Sequence, residues 1–461
     1  MPHLTNQQTL LACALLALAT SACAPLWPKA EPPQLDTPAP ASVPQAISAQ
    51  WWTQFADPVL DQLVKEALEN NFDLAKAAAN IQEARANAGS AQALLSPRLD
   101  AGAKSTLSKR QFSSVIGSED FERTTANNVG GLAASWEIDL WGRIAQMNDA
   151  AISRLAASEH TRNATALSVS SAVVDTYLQL RLLDAKLEIT RNAARNLKEA
   201  TSLEYRRWKA EAGTELAYRQ SLAEQASTEA RIPWIESSIA STELALQLLV
   251  GRSPRAMMTP VQRGQQLTLP DIPTDFDAAL LLRRPDVASA MQLLAAAQAD
   301  LNSIQAERYP RLNLSILAGL VGSTGKLVSG APLFWDIGAG MTAPIYDAGL
   351  IQSKGDAAEA RKEKAIAHYR YTLTLAYRDT YEALAQRETS DRQEKQATIE
   401  VDTRKASLAL AEKSYDAGRS SKFEVLSESI KVLNAEIARN DARLNQFIAR
   451  SRYFKALGGG Y

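Results

Sequence analysis

The 461-residue chain has little of what catalysis and metal binding usually require. Cysteine occurs twice, at Cys13 and Cys23, both in the N-terminal apolar segment, so the body of the protein carries no disulfide and no thiolate metal site. Histidine occurs three times. His3 belongs to the N-terminal segment, and His160 and His368 stand in helical runs without nearby Cys or His partners, which argues against a metal centre. No glycine-rich phosphate loop follows a strand pattern. Neither sign of charge is in excess (net charge −1), so there is no electrostatic footprint for nucleic acid. The N-terminal apolar run Leu10–Ala19 is too short to span a bilayer. These absences point away from an enzyme and imply no cofactor. Ala, Leu, Gln, Glu and Arg are abundant and aromatics make up only 6%, the composition of long helices and coiled coils.

The N-terminal run has the length of a secretion-signal core, and residues 1–22 read as a signal peptide. Thr20-Ser21-Ala22-Cys23 resembles a bacterial lipobox, which makes Cys23 the candidate for lipidation. The n-region lacks Lys and Arg, and Thr20 stands where Leu is usual; the alternative is a plain cleaved signal with incidental cysteines. Ala24 rather than Asp follows, which by resemblance favours sorting to the outer membrane. Residues 23–50 then carry seven prolines, favour extended structure and read as an anchor and tether.

The remainder says nearly everything twice. Asp175-Thr176-Tyr177 returns as Asp379-Thr380-Tyr381, Ser96-Pro97-Arg98-Leu99 as Tyr309-Pro310-Arg311-Leu312, and Tyr205 with Gly213 as Tyr415 with Gly418. The offset is roughly 205 to 213 positions, so residues 51–250 and 277–461 form two homologous repeats joined by a Pro-containing connector, 251–276. Each repeat begins with a helical run, the first over 58–93 and stopped by Pro97. Two alternating runs follow. Leu132, Ala134, Trp136, Ile138 and Leu140 alternate with Gly131, Ala133, Ser135, Glu137 and Asp139, the period of a strand with one apolar face. Leu312 to Leu320 and Ile337 to Ile345 repeat the pattern, with polar loops expected at 108–127 and 321–334. Helical runs over 143–211 and 350–416 would each reach about 100 Å. Leu180, Leu183, Leu187, Ala194 and Leu197 form a heptad seam, matched by Ile232–Leu249 and Leu426–Phe447 on the returning helices. Pro233 should kink or break its helix, and Gly213 and Gly418 should end the long ones.

Four strands with an apolar outer face cannot close a membrane barrel alone, because bilayers admit only closed barrels of about eight strands or more. Three chains would supply twelve. The alternative, a soluble sheet buried against helices, competes with helices whose apolar stripes are already committed to heptad seams.

Several segments resemble one family. Trp51-Trp52-Thr53-Gln54-Phe55-Ala56-Asp57-Pro58, Asp139-Leu140-Trp141-Gly142-Arg143, Arg283-Arg284-Pro285-Asp286, Pro344-Ile345-Tyr346-Asp347-Ala348-Gly349 and the terminal Ala456-Leu457-Gly458-Gly459-Gly460-Tyr461 are similar to TolC-like outer-membrane efflux lipoproteins of the OprM/NodT type, in the right order along the mature chain. The resemblance implies an α+β membrane protein: a homotrimer with a 12-stranded transmembrane β-barrel, four strands per chain, continuous with a long periplasmic α-helical barrel. It implies a lipid-anchored place in the outer membrane, a periplasmic adaptor, and an inner-membrane pump of the resistance-nodulation-division class. The Gly213 and Gly418 turns become the periplasmic tips, with Glu424 as a gate residue, Arg219 in the corresponding place after Gly213, and Glu215 and Asp416 as neighbouring tip charges. These four are otherwise solvated helix-end charges worth under about 1 kcal/mol each. Tyr205 and Tyr415 plug interhelical grooves or pack in the seams. Arg284 and Asp286 read as structural, and Gly142 and Gly349 as permitting a sharp strand-to-helix turn.

The functional expectation is the outer-membrane exit duct of a tripartite efflux pump for small molecules such as drugs. Its alternatives are the duct of a type I protein secretion system and, in a different class, a periplasmic coiled-coil scaffold.

Overall fold

The computed structural model describes residues 27–29, 50–112, 121–253, 267–272, 278–323 and 332–460. Cys23, most of the Pro-rich stretch, the middle of the connector and both hairpin ends lie outside the described residues. A 3-10 turn, Trp51–Phe55, precedes α1 (Pro58–Asn70) and α2 (Phe72–Ala93). Then come β1 (Arg98–Phe112), β2 (Phe121–Ile138), α3 (Arg143–Lys209) and α4 (Glu215–Leu249). The second half gives α5 (Ala278–Leu281), α6 (Pro285–Ala306), β3 (Arg311–Ser323), β4 (Leu333–Thr342), α7 (Leu350–Asp416) and α8 (Lys422–Ala456).

The duplication is visible in element lengths: α2 and α6 have 22 residues each, α3 and α7 have 67, and α4 and α8 have 35. Starts 72 and 285 are 213 positions apart, whereas 143 and 350, or 215 and 422, are 207 apart. The six-residue difference therefore falls in the hairpins. Not every motif that reveals the repeat obeys this spacing. Asp175 and Asp379 are 204 positions apart, three residues short, so the two Asp-Thr-Tyr triplets sit nearly one helical turn out of step.

By compactness the described chain divides into two units, and each repeat contributes to both. One comprises residues 27–29 with Gln82–Ala157 and Ala290–His368; the other comprises residues 50–81 with Ser158–Ser289 and Tyr369–Tyr461. The first holds the sheet, in order β1-β2-β3-β4 with every pair antiparallel and β1 and β4 as free edges. The strands run further than expected, into stretches that read as loops. Ser108 still faces Thr125 and Thr106 faces Asn127, because backbone pairing needs no apolar side chains.

The second unit is built on the predicted seams. Leu183, Leu187 and Ile235 cluster with Ile232 and Ile239, and Leu197, Ala200 and Leu426 cluster with Ile430. This packing accompanies an α4 that continues past Pro233, which lies inside the helix rather than at a break, although proline supplies no N–H to the helical ladder there. The expected single helix over 58–93 is divided at Asn71. Its extended backbone (ψ 135°) stops α1, its Oδ1 accepts from the amides of Asp73 and Leu74, and its Nδ2 donates to Leu249 O at 2.8 Å. In the second repeat Arg284 holds the matching place, 213 positions on, and donates to Ala456 O at 2.7 Å while pairing with Asp286. Two different side chains thus fasten the last carbonyls of α4 and α8.

Near the chain's start, Trp51 stacks on Phe454 (ring centroids 5.5 Å apart) and Phe55 meets Phe447. Beside them the buried Asp57 caps α1 through Val59 N and accepts the Tyr177 hydroxyl at 2.6 Å. Burial pushes the Tyr177 phenol well above its usual range, and the Asp57 carboxylate reinforces the shift.

Candidate functional site

The sheet register sorts side chains onto two chemically distinct faces. On one lie the rows Leu99–Ala134–Ile316–Ile337, Ala101–Leu132–Ala318–Trp335, Trp136–Leu314–Ala339 and Ile138–Leu312–Met341. On the other lie Arg98–Ser135–Ser315–Gly338, Asp100–Ala133–Leu317–Asp336, Gly102–Gly131–Gly319–Phe334 and Glu137–Asn313–Gly340. The first face is wholly apolar over those rows, yet Leu99, Leu132, Ile316, Trp335, Ile337 and Met341 are exposed. A face of this kind in water would be a liability. The strands have 10 to 18 residues, and about 9–11 suffice to cross a bilayer. The other face is mostly small or polar, with Leu317 and Phe334 as its large apolar members. Gly131 and Gly319 oppose one another so closely that a Cβ on Gly131 would lie 2.4 Å from Ala318 O.

The hairpin tips belong to the second unit and are built on one backbone pattern. At the end of α3, Glu211 N donates to Trp208 O and Ala212 N to Arg207 O; at the end of α7, Gly418 N donates to Tyr415 O and Arg419 N to Ser414 O. Each is a Schellman cap. The left-handed residues are Glu211 (φ 55°) and Gly418 (φ 69°), 207 positions apart, so the partner of Gly418 is Glu211 and not Gly213. Gly213 answers a different constraint, since a Cβ there would stand 3.1 Å from Arg207 Cβ. The returning helices are capped alike, by Thr214 Oγ1 accepting from Ala217 N and Ser421 Oγ from Glu424 N. Glu424, third residue of α8, therefore corresponds to Ala217, and the expected correspondence with Arg219 is corrected.

Arg219 pairs with Glu215 one turn back at 3.1 Å, and both are exposed. Glu424 is exposed and makes no ion pair among the described residues; Asp416, the last residue of α7, is also exposed. The tyrosines are more engaged. Arg207 donates to the Tyr415 hydroxyl at 3.0 Å and reaches the buried Glu204 at 3.4 Å, while Lys422 Nζ lies 5.0 Å from the Tyr415 ring centre. Tyr205 joins Trp208 and Tyr218, whose rings stack 5.5 Å apart, with Lys209 Nζ 4.3 Å from the Trp208 ring. Sequence reasoning missed Arg207, Trp208 and Tyr218. The 207-residue spacing would have found Trp208, which stands where Tyr415 stands in the second repeat.

Comparison with known proteins settles the class. The outer membrane efflux protein family model matches residues 63–252 and 278–459. The chain belongs to this family. It is 32% identical to the pyoverdine export outer membrane protein OpmQ of Pseudomonas putida, over 91% of this chain and 90% of that one. Among solved structures, the Campylobacter jejuni outer membrane channel CmeC superposes with a TM-score of 0.87 at 26% identity, covering 95% of each chain. The open state of the Neisseria gonorrhoeae outer membrane channel MtrE gives 0.83 at 26%, covering 94% of this chain and 98% of that one. The protein is thus an outer-membrane component of an efflux system with the fold of these channels, and the expectations of family and fold hold.

Within this outer membrane efflux protein, the strand-to-helix junctions are rigidly made. Gly142 (φ 76°) and Gly349 (φ 83°) take the turns expected of them. Arg143 pairs with Glu137 at 2.9 Å, and Asp139 Oδ2 accepts from Ala145 N. Asp347 accepts from the amides of Ile351 and Gly349, which holds its carboxyl below the usual carboxylate range. Trp141 stacks on Tyr309 (5.0 Å) and donates to Pro310 O; Trp27 donates to Trp141 O at 2.7 Å, and Asn302 Nδ2 to Pro28 O. Such rings suit the boundary between membrane and water. Among the described residues no helix is long and apolar enough to cross a membrane, and no acidic or Cys/His cluster could hold a metal.

Proposed function

We propose that this protein is the passive exit duct of a tripartite pump, conducting small molecules from an inner-membrane transporter of the resistance-nodulation-division class and its periplasmic adaptor to the outside. The observation that carries this reading is the sheet: one face apolar, one mostly small or polar, and both edges unpaired among the described residues. Lipid tolerates no open edge, so four strands must close with those of other copies, and three copies give twelve. The small, polar face then lines water. OpmQ is named for pyoverdine export, which favours small organic solutes. The tips are its gate, with Tyr415, Arg207 and Glu204 as the bonded cluster and Glu424, Asp416, Glu215 and Arg219 as charges open to a docking adaptor. Cys23, in its lipobox-like sequence, carries the lipid. No catalytic step is required.

Native mass spectrometry of the protein extracted from outer membranes in detergent, followed by planar-bilayer recording, tests the reading. A conducting trimer carrying acyl mass on Cys23 is expected. A water-soluble monomer without conductance would overturn the duct, and an unmodified trimer would remove only the anchor.

A further inference from the structure

The mostly polar face of the sheet carries one apolar depression. Leu317 stands directly opposite Asp336, and Phe334 opposite Gly319, in neighbouring rows of that face. One row further along, Val129 lies between Lys104 and Val321. Opposed residues and residues two apart share a face, so these apolar side chains surround the bare backbone of Gly131 and Gly319. Leu317 is 38% exposed and Val321 37%, while Phe334 is half-buried.

The glycines have a reason in the backbone. A Cβ on Gly131 or Gly319 would collide with a carbonyl of the opposing strand, Ala318 O or Gly130 O. The apolar side chains around them have no such reason, as the other hairpin shows. Arg98 opposite Ser135 returns as Arg311 opposite Thr342; residues 98 and 311 are 213 positions apart, and 135 and 342 are 207 apart. At those offsets Phe334 corresponds to Asn127, Leu317 to Lys104 and Val321 to Ser108. The first hairpin fills these positions with polar side chains and pairs as well, so strand pairing does not account for the apolar set.

Charge is distributed unevenly around the depression. Asp336, two residues from Phe334 on the same face, is exposed and makes no ion pair among the described residues, whereas Asp100 in the same row is tied to Arg98 at 2.8 Å. Lys104 stands at the opposite end, beyond Val129. An aromatic ring, a group of aliphatic chains and one unpaired carboxylate together suit a solute that is both aromatic and positively charged. The ring offers stacking or edge contacts and attracts cations to its face, and the carboxylate supplies the counter-charge. From this we infer that Phe334 and Asp336, backed by Leu317 and Val321, form a contact point for aromatic cations on the wall of the duct. The inference rests on the closed-barrel reading, which turns this face to water, and adds to it a chemical preference that the rest of the wall lacks.

Block of the open duct tests it. Tetraphenylphosphonium and tetraethylammonium carry the same charge on aromatic and aliphatic arms, and each is added to planar bilayers holding the full-length wild-type trimer, on the side of the strand hairpin ends. Tetraphenylphosphonium should reduce the open-state current at a concentration about threefold or more lower. Phe334→Ala should erase that difference and Phe334→Tyr should keep it. Phe334→Leu, which preserves apolar bulk without the ring, should also erase it and stands in if the smaller side chain prevents assembly. Asp336→Asn should weaken block by both cations about threefold or more while leaving the difference between them. No preference in wild type, a preference that survives in Phe334→Ala or Phe334→Leu, or unchanged block in Asp336→Asn would overturn the inference and leave the duct standing. A wild-type protein that forms no conducting trimer would instead bring down the duct reading and this inference with it.

Discussion

Removing the Tyr415 hydroxyl tests the bond that joins the tips of the two repeats. Arg207, on α3, donates to that hydroxyl at 3.0 Å, and the ring has the Arg207 guanidinium 5.9 Å and the Lys422 ammonium 5.0 Å from its centre. Tyr415→Phe keeps the ring and its cations and deletes only the hydrogen bond. A bond to a charged donor contributes about 1.5–3 kcal/mol net. Because the Arg207 side chain is 37% exposed, solvent reduces this to about 1 kcal/mol per tip. One bond broken singly changes an equilibrium about fivefold, and three lost together in a trimer change it more than about a hundredfold. In planar bilayers the open fraction of Tyr415→Phe should therefore rise by a factor between these bounds. Arg207→Ala should exceed it, since Glu204, only 5% exposed in its side chain, loses its cation. Open fractions equal to wild type in both variants would refute the idea that this bond closes the duct.

Other expectations follow from the fold. Gly131→Val would drive a side chain into the β3 backbone, and about 1–3 kcal/mol or more of strain should lower the yield of the proposed trimer by native mass spectrometry; an unaffected yield would contradict the strand register. Asn71→Ala removes the α2 cap and the bond to Leu249 O, and should cost about 1–2 kcal/mol, read as a lower melting midpoint; an unchanged midpoint would show that the latch is dispensable. Burial pushes the Asp175 carboxyl up, and the nearby Ser451 hydroxyl and the Arg452 and Lys455 charges only partly oppose it; no hydrogen bond of good geometry satisfies Asp175 Oδ1 or Ser451 Oγ among the described residues. The folded chain therefore binds this proton more tightly than the unfolded one, so stability is lost as pH climbs from about 3.8 through the raised value. Asp175→Asn should melt higher than wild type at pH 7 and equally below pH 3.8, and parallel profiles would sink this account.

Much of the architecture was legible because it is periodic. Alternation at residues 131–140 identified β2, the seams of Leu183, Leu187 and Ile235 were found as written, and the long helices end within two residues of expectation. What escaped notice was aperiodic. Asn71 breaks a helical pattern through its own side-chain hydrogen bonds, which no hydrophobic period records. Glycine is the sequence mark of a left-handed cap, yet at the first tip Glu211, two residues before Gly213, adopts that backbone at a cost of about 1 kcal/mol. Arg207 carries no motif or periodic signal in the sequence. Only the fold shows that it reaches 208 positions along the chain to Tyr415.

The aromatic cluster of Trp51, Phe55, Phe447 and Phe454 also bears on the order of events in assembly. Trp51 and Phe454 are 403 positions apart (454 − 51), so the cluster cannot form until both stretches are available, whatever the helices between have done. A chain cut short before residue 447 leaves Trp51 without Phe454 and Phe55 without Phe447. Two stretches remote in sequence thus share one aromatic seam, and the helical body is tied shut where they meet.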